Sequence, residues 1–420
     1  MVTRRRPPVS FVRDSGGAAA RLRLCLLVRC MSSSRVPGLW FIRLAAFSSM
    51  AAMRMCDPML VTLASEFQVS VGEASRVVSA FAVAYGCLQL FYGPLGDRVG
   101  KLRVINAAAL ACAVFSAMTV LAPDVGWLVL ARAAMGASAA GIIPLSMAWL
   151  GDQVAYEHRQ ETLAKLMSAT VTGMMAGQWF GGWAAESLGW RSAFAVLSGM
   201  FLLASVMLYV RLGPQRRMAQ VQTEGSYWHQ ALASLGLLRL PRVRWVLTVT
   251  AIEGALAFGS LAFVPSQLVQ HFHLSASLAG GLMVLYGIGG LIYSQMARRW
   301  LGWLGERGLV RLGSSLVAAG QLLLAWGQHP ALAALGCMAA GLGFYMLHNT
   351  LQTQATQMAT HARGSAVTLF ACLLFFGQST GVLLMAQTVD HGGLDKAYTV
   401  SALGMVVLGA VIARRVQGKS

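Results

Sequence analysis

Twelve stretches of about 20 mostly apolar residues each, separated by short polar or basic connections, constrain this chain more than any other feature. They cover roughly 40–62, 76–96, 103–122, 127–149, 166–186, 191–211, 245–268, 276–296, 309–327, 331–352, 365–387 and 397–413. Each is long enough to cross the hydrocarbon core of a bilayer as a helix, the form in which a lone segment satisfies its own backbone hydrogen bonds. The soluble alternative fails on composition. Of 420 residues, 56% are hydrophobic and only 11% charged, against roughly 25% charged in a soluble domain.

The charge is lopsided, with 33 Lys and Arg against 15 Asp and Glu. In a soluble protein a net +18 would suggest nucleic acid, but here position decides. With the N-terminus inside, 27 of the 33 basic residues fall on the cytoplasmic side of the twelve spans, as the positive-inside rule requires. The outer loops hold Arg76, Arg191 and Lys396, and the spans hold Arg43, Arg54 and Arg132. The expected arrangement is a multi-pass protein of the inner membrane with both termini cytoplasmic and no nucleic-acid partner.

Seven cysteines lie mostly inside spans, without a CxxC or a His/Cys cluster at zinc spacing. No metal, cofactor or enzymatic centre is expected, since no nucleophile stands with a base and no phosphate loop occurs. Residues 1–35 form a basic N-terminal segment. Its first thirty residues read as a misassigned upstream start or a basic arm, and Met31 is a plausible alternative start.

The chain repeats itself. Tyr85-Gly86 and Leu90-Phe91-Tyr92 fall on Tyr286-Gly287 and Leu291-Ile292-Tyr293, a shift of 201, and Gly177-Gln178 and Gly181 fall on Gly377-Gln378 and Gly381, a shift of 200. Both place each span on the one six later. Two halves are expected, 36–211 and 245–420, joined by a basic cytoplasmic linker, 212–244, in which Tyr227–Leu240 suits an amphipathic helix or a loop. Parallel six-span repeats suit alternating access around a midplane site.

Between the second and third spans stands Gly93-Pro94-Leu95-Gly96-Asp97-Arg98-Val99-Gly100-Lys101-Leu102-Arg103. It resembles the loop signature of the major facilitator superfamily, G-x-L-[GAS]-D-R-x-G-[RK]-x-[RK], at every defining position. The resemblance implies an all-α membrane fold of twelve transmembrane helices in two six-helix bundles. It also implies a latch, in which Asp97 meets the start of the eleventh span and Arg98 meets an acid at the inner end of the fourth, here Asp152. At a shift of 201 Asp97 falls on Arg298, so the second copy has lost its anion and with it the expected latch.

The fourth span, with Arg132 and Gly136, resembles a second signature of that family. The fifth reads Gly173-Met174-Met175-Ala176-Gly177-Gln178-Trp179-Phe180-Gly181-Gly182, close to the G-x-x-x-G-P-x-x-G-G pattern associated with antiporters. Gln178 stands where that pattern has proline, which removes a bend and weakens the antiporter inference.

Acids inside spans are functional candidates by default. Glu253 lies near mid-bilayer, where desolvation penalises its charge; a reversible proton site and a hydrogen-bonded packing acid both fit. Asp57 and Arg132 lie at similar depth and are expected to pair, with protonation of Asp57 releasing the pair. Arg54 competes from one turn away on the same helix. Gln178, Gln378, His348, Asn349 and Gln352 are candidate substrate contacts, the last three equally suited to an inner gate. The expected function is proton-coupled export of a small organic solute by a monomer, with protons and the lipid bilayer as its other partners. Import by symport or uniport, and a transporter-like sensor, remain open at this stage.

Overall fold

A computed structural model describes residues 39–154, 156–212, 234–359 and 362–415. The basic N-terminal arm and most of the linker fall outside the described residues. The described residues are mostly helical, joined by short turns, with no strand among them. The transmembrane helices are α1 (Leu39–Phe67), α2 (Val71–Val99), α3 (Lys101–Val120), α4 (Val125–Gln153), α5 (Tyr156–Ser187), α6 (Trp190–Leu212), α7 (Pro241–Gln270), α8 and α9 within Ala276–Trp326, α10 (Pro330–Gln357), α11 (Arg363–Gly392) and α12 (Leu394–Arg415).

Two features hide the count of twelve from a simple search for apolar helices. α8 and α9 run together over 51 residues and part only at Gly305, whose φ of 64° is non-helical. α5 starts ten residues before its apolar stretch does. Its first turns are polar and extend the helix beyond the membrane, supported by a Lys165–Glu161 pair at 2.7 Å one turn apart. Hydropathy marks what lies in lipid, not where a helix begins.

In the linker, the described residues Ser234–Arg239 form a short 3-10 turn where a longer amphipathic helix was one expectation.

The twelve helices form two bundles of six, and packing fixes their internal symmetry residue by residue. In the first bundle Gly177 of α5 sits on the Ala51 carbonyl of α1, and Gly181 on that of Met55. In the second, Gly377 of α11 sits on Ala251 of α7, and Gly381 on Ala255. All four contacts are related by a shift of 200, and a Cβ at any of these glycines would overlap a carbonyl. Small residues let bilayer helices approach this closely.

The other pairs follow a different shift. Gly136 of α4 lies on the Phe81 carbonyl of α2, and Gly341 of α10 on the Tyr286 carbonyl of α8. Gly100 and Gly305, both with positive φ, end α2 and α8. These matches are related by 205, four residues from the 201 that sequence similarity suggests. Four residues is about one helical turn, so the slip keeps every side chain on its face and the sequence match hardly detects it. The residue equivalent to Asp97 is then Gly302, not Arg298, and the equivalent of Lys101 is Glu306.

Between the bundles, α2 packs on α11 and α5 on α8. Gly280 of α8 lies on the Gln178 carbonyl, and Gly182 of α5 on that of Ala276.

Candidate functional site

The site forms where α1 and α7 both lose regular helix. In α1 the α-helix stops at Arg54 and resumes at Leu60 after a 3-10 turn, Asp57–Met59. Pro58 is the cause, since it has no N–H for the Arg54 carbonyl. In α7 the helix ends at Glu253 and passes through a π-helical turn, Gly254–Phe258. Such turns recur at functional sites. Gly254 makes room for it against the Leu374 carbonyl of α11.

Arg54, Asp57, Arg132 and Glu253 are all buried, none more than 1% exposed. Arg54 Nη1 lies 3.4 Å from Asp57 Oδ2, so the neighbour one turn away takes the acid. Gln178 Nε2 of α5 donates to the same oxygen at 3.4 Å. The Arg54 guanidinium also stacks 4.5 Å from the ring centre of Phe258 in the π-turn, a cation–π contact between the two bundles.

The expected Asp57–Arg132 ion pair does not form. Arg132 Nη1 donates to the Ala52 carbonyl at 2.8 Å and its Nε to that of Val77 at 3.4 Å. Its guanidinium lies 4.3 Å from the Phe81 ring centre. Ala52 is in the last turn before the α1 break, where carbonyls lack helical partners and favour a cation. Arg132 is thereby a tie between α1, α2 and α4.

Opposite them, Glu253 Oε2 lies 3.2 Å from His348 Nδ1 of α10. The imidazole is stacked on Phe344 at 5.0 Å and tilted against Phe370 at 5.4 Å. Glu253 Oε1, Asp57 Oδ1, the Tyr286 hydroxyl and both amide atoms of the fully buried Gln378 have no hydrogen-bond partner among the described residues. Two residues assigned to different roles from sequence, Glu253 and His348, are thus one unit. Asn349 instead donates to Tyr293 at 3.0 Å and Gln352 is exposed, so neither joins this cluster. Phe258 and the hydroxyl of Tyr286 went unmarked in the sequence, because an aromatic in an apolar span reads as packing.

At the end of the bundles that carries the 93–103 loop, Lys101 bridges Asp97 at 3.2 Å and Asp152 at 2.7 Å. The loop cation that meets Asp152 here is Lys101, where Arg98 was expected. The second bundle is not bare at the equivalent place. Glu306 accepts from Gln354 at 2.9 Å, and Gln354 accepts from Arg242 at 3.4 Å. The sign is reversed, with the acid on the loop.

The opposite end is closed by contacts between the bundles. Asp390 of α11 accepts from Ser70 Oγ at 2.8 Å and from the Gly72 amide at 3.2 Å. Glu186 accepts from the Ser277 amide at 2.9 Å, and the hydroxyls of Ser79 and Ser379 lie 2.7 Å apart.

The family model described as Major Facilitator Superfamily matches residues 42–382. The chain belongs to that superfamily. It is 25% identical over 360 residues to the uncharacterized MFS-type transporter YceJ of Bacillus subtilis, covering 82% of this chain and 88% of that protein. To the inner membrane transport protein YnfM of Escherichia coli it is 24% identical over 371 residues, 86% of each. Among solved structures, the nucleoside transporter NupG matches with a TM-score of 0.73 at 13% identity over 90% of this chain and all of that one. A peptide transporter, POT, in complex with sulfate matches with a TM-score of 0.73 at 14% identity, covering 89% of this chain and 93% of that one. At these identities the structural matches establish the fold. The protein is a multi-pass membrane transporter of this superfamily.

Proposed function

We propose that this transporter exports a small organic solute across the inner membrane in exchange for protons, and that Glu253 with His348 is the coupling site. The observation that carries this reading is the Glu253 carboxyl itself. It is fully buried, bonded through one oxygen to His348 at 3.2 Å, and unpartnered at the other.

Two forms of the pair hold one proton and are neutral overall: carboxylate with imidazolium, or carboxylic acid with neutral imidazole. Loss of that proton leaves a lone buried anion, which is costly. A weakly basic or cationic solute arriving at the Glu253 carboxyl would replace the proton's charge. Proton and solute then compete for one carboxylate, which is the thermodynamic requirement for exchange. Gln178, Gln378 and Tyr286 are the polar groups placed to orient the solute.

Alternating access is supported by the unequal ends. Contacts at Asp390, Glu186 and Ser79–Ser379 close one end, and the basic loops mark the other as cytoplasmic. The conformation is therefore read as inward-facing, with both termini inside.

The test uses inverted vesicles acidified by respiration and reporting pH through a probe, exposed to a panel of amines, drugs, sugars and metabolites. Wild type is expected to release protons with at least one weakly basic compound, and Glu253→Gln is not. Uptake of a radiolabelled compound into whole cells, with no proton release by any compound in vesicles, would overturn export in favour of import.

A further inference from the structure

Away from the Arg54–Glu253 site, a cavity of about 900 Å3 opens at the end of the second bundle that carries the basic loops. It is bounded by α7, the α8–α9 junction, α10 and α12. Its floor is apolar and buried, made by Val246, Leu351 and Ile412. Its rim carries Arg242 and Arg415, both exposed. Arg415 is held in place by stacking over Trp245 at 4.1 Å.

Two guanidinium groups face one carboxylate, Glu306, which already accepts from Gln354. The rim therefore keeps a positive excess above an apolar floor, which suits an anionic headgroup on a hydrocarbon stem. Position points to lipid as the source. Beside the cavity, Trp303 is 76% exposed and Leu301, which lines it, 45%. Large apolar side chains exposed where helices leave the membrane belong at the headgroup level, and basic pockets between helices on that side hold anionic headgroups.

We infer that this cavity is a binding site for an anionic phospholipid, with Arg242 and Arg415 on the phosphate diester and the acyl stem entering over Leu301. The lining shares no residue with the Glu253–His348 pair, so the inference does not depend on what the solute is.

Native mass spectrometry of the full chain in detergent, with phosphatidylglycerol or phosphatidylethanolamine added, tests it. Wild type should retain phosphatidylglycerol in preference. Arg242→Gln with Arg415→Gln should lower its affinity roughly thirtyfold, about a factor of five per basic residue. A control removing two charges outside the cavity, Arg244→Gln with Arg414→Gln, should keep it. Leu351→Trp fills the floor without touching a charge and should also lose the lipid, and an unchanged thermal melt separates that loss from misfolding. Equal loss in the control pair would mean diffuse surface attraction and overturn the site. Displacement of the lipid by free glycerol phosphate at the lipid's own concentration would assign the site to a soluble phosphate compound and overturn the lipid.

Discussion

Arg54 and Asp57 illustrate how little a buried charge can be moved alone. Asp57→Asn leaves the buried Arg54 guanidinium without its acid, and breaking such a pair costs about 3–5 kcal/mol. A large drop in melting temperature in detergent is expected. Arg54→Met with Asp57→Leu removes both charges and should recover most of that loss, because apolar replacement of a buried pair is often neutral. Transport by this double variant separates structure from coupling: if proton-linked flux persists, Asp57 is structural and Glu253 carries the coupling alone. Arg132 is a different case. Its partners are carbonyls and a ring, so Arg132→Met forfeits charge-assisted hydrogen bonds of about 1.5–3 kcal/mol each, read as lowered thermal stability. At this scale the sequence named the charged residues from the cost of placing them in lipid, but it could not choose between partners. Arg54 and Arg132 were both plausible for Asp57, and only the break at Pro58 and the path of α4 decided.

Helix α5 shows what the element scale adds. Gly173, Gly177 and Gly181 recur every four residues and lie on the carbonyls of Phe47, Ala51 and Met55 of α1. The antiporter-like pattern is, in this chain, a packing stripe with Gln178 beside it, turned to Asp57. Substituting Gly177 or Gly377 by Leu must push two helices apart, at the upper end of the 1–3 kcal/mol typical of overpacking. Gly93→Ala, inside α2 at a position with no atom near the added Cβ, should leave the melting temperature unchanged or raise it slightly, since Ala favours a helix over Gly by about 0.5–1 kcal/mol. Equal melting temperatures for Gly177→Leu and wild type would contradict the tight α1–α5 contact. The stripe was legible as spacing; its partner helix was not, because spacing in one helix says nothing about which neighbour it meets.

For the whole molecule, the closed end is the testable feature. Ser79 and Ser379 come from opposite bundles with hydroxyls 2.7 Å apart. Ser79→Cys with Ser379→Cys should therefore oxidise to a crosslink that halts transport, and reduction should restore it, while neither single variant responds. Asp390→Ala removes an acceptor for Ser70 and Gly72 and should shift the population towards opening at that end, measured as faster labelling of a cysteine at Ser79. Unchanged labelling would mean that the other contacts hold the end shut without Asp390.

The twelve spans, the internal repeat and the family were determined by the sequence alone, for a physical reason. Lipid contact forces apolar length, and that demand is written locally, residue by residue. The 93–103 loop is equally local, since a tight basic turn needs its glycines and cations in a fixed order. What the tertiary structure decided is everything that depends on which helices touch. It joined Glu253 to His348 across 95 residues, gave Asp152 to Lys101, and set Glu306 and Gln354 where a lost latch was expected. It also moved the α2–α8 register by one helical turn, to which a pattern of apolar faces is blind, because the bilayer reads only the face that a side chain occupies.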